Sequence, residues 1–182
     1  MFLSLFAGML LASDRTTTFL TRLFASPMTA ADFICGYTLP MLVVCLVQST
    51  LTFAFAALFG FQWSARVVVG IAVILPTALM YTAIGLLCGT IVSDKAVGGI
   101  CGAMLTTVSF ILSGLTMLLT VMGHAFQTIA QTLPFYHAAQ MANAAIAGDY
   151  GRIWPHMWIV LIYMSIFAAA AILTFTMRAR NR

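Results

Sequence analysis

Charged residues are scarce in this chain of 182 residues. Asp, Glu, Lys and Arg together make up 7% of it, and glutamate is absent altogether, whereas a soluble domain is typically about 25% charged. Hydrophobic residues account for 63% of the chain, and the mean hydropathy is +1.07. These proportions exclude an ordinary water-soluble domain and predict an integral membrane protein.

The shortage of charge also limits the chemistry. Lys95, in "VSDKAV", is the only lysine, so the chain has no phosphate-binding loop of the form G-x-x-x-x-G-K-[ST]. No Asp, Glu, Lys, Arg or His lies deep inside an apolar run, although ion-coupled transporters and proton relays usually need such a residue. We therefore expect no enzymatic activity and no cofactor in this chain. If ATP powers it, another polypeptide hydrolyses the ATP.

Cysteine is present without any pairing pattern. The four cysteines lie in or beside apolar runs and show no C-x-x-C spacing: Cys35, Cys45, Cys88 and Cys101. Buried hydrophobic residues are a better interpretation than a disulfide framework or a zinc site.

Long charge-free runs dominate what is left. Four of them are long enough to cross a bilayer of about 30 Å, at residues 33–60, 67–92, 99–122 and 155–176. Backbone groups in lipid must be satisfied within the segment, so each run should be a helix. The apolar segment 1–12 is too short to span and is interpreted as the end of a longer helix. The sequence thus predicts an all-α polytopic helix bundle, with residues 1–182 forming one membrane domain.

Orientation follows from the basic residues. If successive spans alternate in direction, six of the eight Lys and Arg residues share one side: Arg15, Arg22, Lys95, Arg178, Arg180 and Arg182. The other side receives Arg66 and Arg152. The positive-inside rule makes the first side, with the C-terminus, cytoplasmic. Membrane orientation accounts for the net charge of +4, so we expect the lipid bilayer as a partner and no nucleic acid.

The connection 123–154 is expected on the outer side. Its apolar residues recur at helical spacing, and Pro134 separates two predicted short helices. His124, His137 and His156 also fall on this side, but no two of them have the i, i+4 spacing of a ligand pair on one helix. Polar residues at the membrane interface are the expected interpretation, and a metal or haem site is the alternative.

Uncharged polar residues inside the spans form a candidate pathway. They occur in two of the runs: Gln48, Ser49 and Thr52 in one, and Thr106, Ser109 and Ser113 in another. Such residues would suit a weakly polar surface for an amphipathic substrate, although ordinary helix packing also uses them. Small residues four apart, Gly98 with Gly102 and Gly99 with Ala103, are predicted to let helices approach closely.

The stretch "SDRTTTFLTRLFASPMTAADF" predicts a short cytoplasmic helix within residues 13–32. Ser13 or Asp14 can cap its start, and Ser26-Pro27 ends it. Helical spacing puts Phe19, Leu20, Leu23 and Phe24 on one face and Arg15, Thr18 and Arg22 on the other. A helix on the membrane surface and a docking surface for another protein both fit this pattern.

The order of these elements resembles type-2 ABC transporter permeases, the ABC-2 family. "DRTTTFLTRLFASPMTAADFICGYTLP" is similar to that family's first cytoplasmic loop, with an acidic-basic start, a T-x-x-x-L helix and an A-S-P turn. "LSGLTMLLTVMGHAFQTIAQTLPFYHAAQMANAAIAGDY" is similar to the family's span end, outer helices and last connection. Members usually have six spans, so the resemblance implies that the first span and most of the second are missing, through truncation or a mis-started reading frame. Thr16 and Thr17 also stand where the family often has Glu and Gly.

The resemblance implies a permease subunit of an ATP-driven exporter in the bacterial cytoplasmic membrane. It would pair with a second copy or a homologue and with ABC ATP-binding subunits that hold ATP and Mg²⁺. The cytoplasmic helix would be the coupling helix that seats in the ATPase, with candidate residues Asp14, Arg15, Thr18, Leu20, Arg22, Leu23, Phe24 and Pro27. An outer gate region is expected at Pro134, Phe135 and Tyr136. The alternatives are a membrane-embedded redox, haem or metal-binding subunit and a scaffold remnant that transports nothing.

Overall fold

A computed structural model describes residues 1–15, 30–61, 64–114 and 123–180, and within these ranges the chain is helical, with no strand. The helices are α1 (Phe2–Asp14), α2 (Ala30–Leu58), α3 (Ala65–Ile91), α4 (Asp94–Val97), α5 (Leu105–Leu112), α6 (His124–Thr132), α7 (Pro134–Ala147) and α8 (Ile153–Arg180). A π-helical segment, Gly98–Met104, joins α4 to α5, and a 3₁₀ turn, Tyr150–Arg152, precedes α8.

Four of these helical segments are long and apolar enough to cross a membrane: Ile34–Leu58, Ala65–Ile91, Asp94–Leu112 and Tyr150–Met177. The predicted all-α polytopic bundle is therefore confirmed. The third segment begins earlier than the predicted run and changes from α- to π-helix within it, and the last part of that run, 115–122, lies outside the described residues.

Helix α3 is the centre of the bundle. Half of its most apolar window (50%) is buried, against 11% for α2 and 17% for the last span. Helices α1, α2, α7 and α8 all pack against it. Burying α3 leaves the other spans with large apolar surfaces, as expected where lipid is the solvent.

Helices α1 and α3 approach each other until their backbones touch, and this contact was not predicted. A Cβ on Gly89 would lie 2.5 Å from the carbonyl oxygen of Gly8, and one on Gly85 would collide with the backbone of Ser4. Ser4 with Gly8 and Gly85 with Gly89 are each four residues apart, so two small-residue stripes face each other and let the backbones touch.

The small-residue pairs that were predicted to pack behave differently. A Cβ added to Gly98 or Gly99 would meet nothing within 4 Å, and one on Gly102 would meet only the side chain of Leu5, at 3.4 Å. The expectation of close packing at Gly98 and Gly99 is therefore wrong for the described contacts. Four-residue spacing thus identifies a stripe of small residues on a helix, but it does not identify which other helix packs against that stripe.

The two ends of the bundle differ in the basic residues they hold. Arg15 follows α1 and bonds to the end of α3, and Lys95 lies in the adjoining α4. Arg66, at the start of α3, lies against Gly148 at the end of α7, with its Nε 3.1 Å from a Cβ built there. Arg152 is in the 3₁₀ turn just beyond. These four basic residues thus divide between the ends in the way that alternating spans require.

Candidate functional site

A cavity of about 570 Å³ opens among α1, α2, α3, α5 and α7. Its polar lining residues are Gln48, Ser49, Thr52, Thr77, Tyr81, Thr106 and Ser113. Apolar side chains, including Phe53, Ile74 and Phe135, supply most of the remaining wall. The space is therefore mainly apolar, with hydroxyl and amide groups at separate points on its wall.

Five of the six candidate pathway residues line this one cavity although they come from two different spans: Gln48, Ser49, Thr52, Thr106 and Ser113. The sixth, Ser109, is fully buried beside Tyr81 and does not line it. Thr77 was not singled out from the sequence. It is also an uncharged polar residue inside an apolar run, one residue after Pro76 in the central helix, so the signal used for the other candidates could have suggested it.

Several of the cavity hydroxyls bond to their own helices. Thr52 Oγ1 donates to the carbonyl of Gln48 at 2.8 Å, and Ser113 Oγ donates to that of Phe110 at 2.7 Å. Thr106 Oγ1 makes a longer contact of 3.5 Å to the carbonyl of Cys101. Such bonds satisfy a hydroxyl hydrogen inside an apolar span.

The predicted outer gate residues lie at the start of α7. Pro134 is the first residue of that helix and is fully buried, where its missing N–H costs no helical hydrogen bond. Phe135 is buried, stacks on Tyr81 with ring centroids 6.0 Å apart and faces the cavity. Tyr136 faces a second, outer pocket instead. Helix α7 is thus the wall between the two spaces.

The outer pocket has a volume of about 380 Å³ and a more polar lining. It is bounded by Tyr136, Gln140, Asn143, Asp149, Arg152 and His156, among others. Arg152 and Asp149 form an ion pair at 3.3 Å on its exposed rim.

Two of the three histidines meet at this pocket. His137 Nδ1 lies 2.7 Å from His156 Nδ1, and His137 Nε2 lies 2.7 Å from the carbonyl oxygen of Gln131. His124 is exposed at the start of α6. Among the described residues no three His, Cys, Asp or Glu side chains are grouped so that they could hold a metal ion. The contact between His137 and His156 joins α7 to α8 through a hydrogen bond.

Most of the candidate coupling stretch falls outside the described residues, including Thr18, Leu20, Arg22, Leu23, Phe24 and Pro27. Asp14 and Arg15 are described, and they do not begin a new helix. Asp14 is the last residue of α1 and Arg15 is its C-cap, so the prediction that Ser13 or Asp14 caps the following helix differs from the structure. The reason is that α1 continues two residues beyond the apolar segment 1–12.

Both residues instead connect α1 to the spans. The Asp14 carboxylate accepts a hydrogen bond from the hydroxyl of Tyr37 in α2. The Arg15 guanidinium donates to the carbonyls of Gly89 and Thr90, each at 2.6 Å, and to that of Val92 at 3.2 Å. The start of the coupling stretch is thus fixed to two spans.

Taken together, the described residues form a polytopic membrane helix bundle with a weakly polar cavity between its spans. The family model described as "ABC-2 family transporter protein" matches residues 1–174. The chain therefore belongs to the ABC-2 transporter family and is a membrane permease of the ABC transporter class. No curated protein and no solved structure matches the chain.

Proposed function

We propose that this chain is the transmembrane subunit of an ATP-driven exporter and forms part of its translocation pathway. The observation that carries the proposal is the cavity of about 570 Å³, because uncharged polar residues from α2, α3 and α5 converge on it between spans. Since the sequence has no phosphate-binding lysine loop, ATP and Mg²⁺ would be held by a separate ABC ATP-binding subunit. A second permease copy or a homologue would complete the pathway.

The orientation we propose follows the basic residues. Arg15 and Lys95 mark the cytoplasmic end of the bundle, together with the C-terminal Arg178, Arg180 and Arg182. The outer helices α6 and α7 then lie on the far side, and the membrane is the bacterial cytoplasmic membrane. In this orientation the segment after Arg15 is the part that an ATPase in the cytoplasm can reach.

Coupling would pass through that segment. A helix that docks in a groove needs apolar anchors on one face, and Leu20, Leu23 and Phe24 are the candidates, with Arg15 and Arg22 setting its orientation. The bonds from Asp14 to Tyr37 and from Arg15 to the end of α3 support this proposal. A push on the docked segment would reach α2 and α3 directly.

The test uses the ATP-binding subunit that co-purifies with the full chain from its native membrane, identified by its phosphate-binding loop. The double variant Leu23→Asp with Phe24→Asp should lose that subunit and the stimulation of its ATPase activity in nanodiscs, while membrane insertion is unchanged. The matched control exchanges two apolar residues at the opposite end, Tyr150→Asp with Trp154→Asp, which are 47% and 58% exposed. Unchanged co-purification of the ATPase with the first variant would exclude docking at this helix.

A further inference from the structure

Some hydroxyl groups of the cavity already donate their hydrogen to a backbone carbonyl and others do not, and this difference limits which ligands can bind there. A hydroxyl carries one hydrogen and two lone pairs. Thr52 and Ser113 have each given that hydrogen to a backbone carbonyl of their own helix, at 2.8 and 2.7 Å. In the cavity the Thr52 hydroxyl can therefore accept a hydrogen bond from a ligand but cannot donate one.

Thr77 differs from the other threonines of α3. Thr82 Oγ1 donates to Ala78 at 2.8 Å, and Thr90 Oγ1 donates to Leu86 at 2.7 Å. Thr77 Oγ1 is buried and has no hydrogen-bond partner among the described residues, although the residue lines the cavity. A threonine in a helix divides between two χ1 rotamers about 120° apart, so a change of rotamer can turn this hydroxyl toward a ligand. Buried polar groups without a partner are rare enough to need an explanation.

Charged side chains are missing from the cavity wall. Among the described residues no Asp, Glu, Lys, Arg or His side chain lines it, while Met1 and the aromatic rings of Phe53 and Phe135 border it. An ionised group moved from water into such a space would lose its hydration without meeting a side chain of opposite charge. The wall thus selects against charged ligands and suits an alkyl chain.

We propose that the substrate is a neutral amphiphile whose polar end carries hydroxyl groups. The ligand hydroxyls would donate to Thr52 and exchange hydrogen bonds with Thr77, while the alkyl chain lies against the apolar wall. This inference deepens the proposed function and rests on it in one respect, because it takes the cavity to be the transport site.

The experiment measures binding to the purified full chain in nanodiscs, without ATP and without a partner subunit. A photoreactive alkyl glycerol ether is competed with 1-O-dodecylglycerol, with its di-O-methyl ether, and with dodecanoate, each at the same concentration in the membrane. The methyl ethers keep the oxygen acceptors and remove both donors. Since one net hydrogen bond is worth about a three- to tenfold change in affinity, the diol should compete about tenfold better than the diether, and dodecanoate should compete least.

Two isosteric variants locate the effect. Thr77→Val should reduce the advantage of the diol about threefold. Thr82→Val makes the same exchange five residues further along α3, at a fully buried residue that is absent from the cavity wall, and should leave that advantage unchanged. If Thr77→Val fails to fold, the comparison of the diol with the diether on the unmodified chain still tests the proposal.

Equal competition by the diol and the diether would overturn the proposal, and so would tighter binding of dodecanoate. Photolabelling outside the cavity-lining residues would also overturn it. Because the assay needs neither ATP nor an ATPase, failure here leaves the proposed coupling intact. Conversely, a chain that binds the diol but recruits no ATP-binding subunit would contradict the proposed function alone.

Discussion

The guanidinium of Arg15 lies 2.6 Å from the carbonyl oxygen of Gly89. The same Nη1 atom also donates to Thr90 at 2.6 Å and to Val92 at 3.2 Å, so one cation serves several of the carbonyls that a helix leaves free at its C-terminus. The helix dipole adds to the attraction, since its negative end faces the charge. Arg15 therefore holds the end of α1 onto the end of α3, next to the proposed coupling stretch.

Replacing Arg15 by Gln should destabilise the bundle by about 1–3 kcal/mol, because a charged donor to partly buried carbonyls is removed. Arg15→Lys should recover only part of this, since an ammonium lacks the planar fork of the guanidinium. Thermal unfolding in nanodiscs measures the effect. The control is Arg152→Gln, whose side chain is 79% exposed and pairs only across a surface turn with Asp149; it should change little. Equal losses in both variants would contradict the role assigned to Arg15.

The contact of α1 with α3 gives a second prediction. Gly85→Leu or Gly89→Val should separate the two helices, because the added side chain would occupy the position of the α1 backbone at Ser4 and Gly8. We expect a loss of about 3 kcal/mol, at the upper end of the range for core overpacking. Resistance to unfolding by denaturing detergent is the measurement.

The matched control for these glycine variants is Gly99→Ala, because a Cβ on Gly99 meets nothing within 4 Å. It should be neutral or slightly stabilising, since alanine is the better helix former. A Gly85→Leu chain as stable as the Gly99→Ala chain would refute the close approach.

Much of this architecture could be predicted from the sequence, and the exceptions have physical causes. Hydrophobic length alone predicts the four long helices, because a bilayer imposes a minimum length on every span. The polar residues of α2 and α5 could be assigned to a pathway since they interrupt otherwise apolar runs. The sequence does not specify which stripes of small residues pack against each other. Gly98 and Gly99 have the same spacing signal as Gly85 and Gly89, yet only the latter pair has a backbone opposite it.

Thr77 illustrates a second limit. The same sequence-based expectation applies to all three threonines of α3. Whether each hydroxyl donates to the preceding turn of the helix depends on its side-chain rotamer and on the surrounding residues. The end of α1 is a third case. An acidic-basic pair after an apolar run is equally suited to cap a new helix or to finish the old one, and the acceptors that decide the matter are about 75 residues away in sequence, at the end of α3.

The histidine pair that joins α7 to α8 has a defined proton arrangement. A carbonyl can only accept, so His137 Nε2, 2.7 Å from the oxygen of Gln131, carries a hydrogen. The Nδ1 of a neutral His137 is then an acceptor, and His156 Nδ1 donates to it across 2.7 Å.

Removing this bond should loosen the contact of α7 with α8. We expect His137→Phe, which keeps an aromatic ring beside Tyr136 but has no bond to His156, to lower the free energy of unfolding by about 1 kcal/mol. Thermal unfolding of the two chains in nanodiscs measures the difference. His124→Phe, at an exposed position on α6, should keep the melting temperature of the native chain. Equal melting temperatures for the native and His137→Phe chains would show that the pair does not hold these helices together.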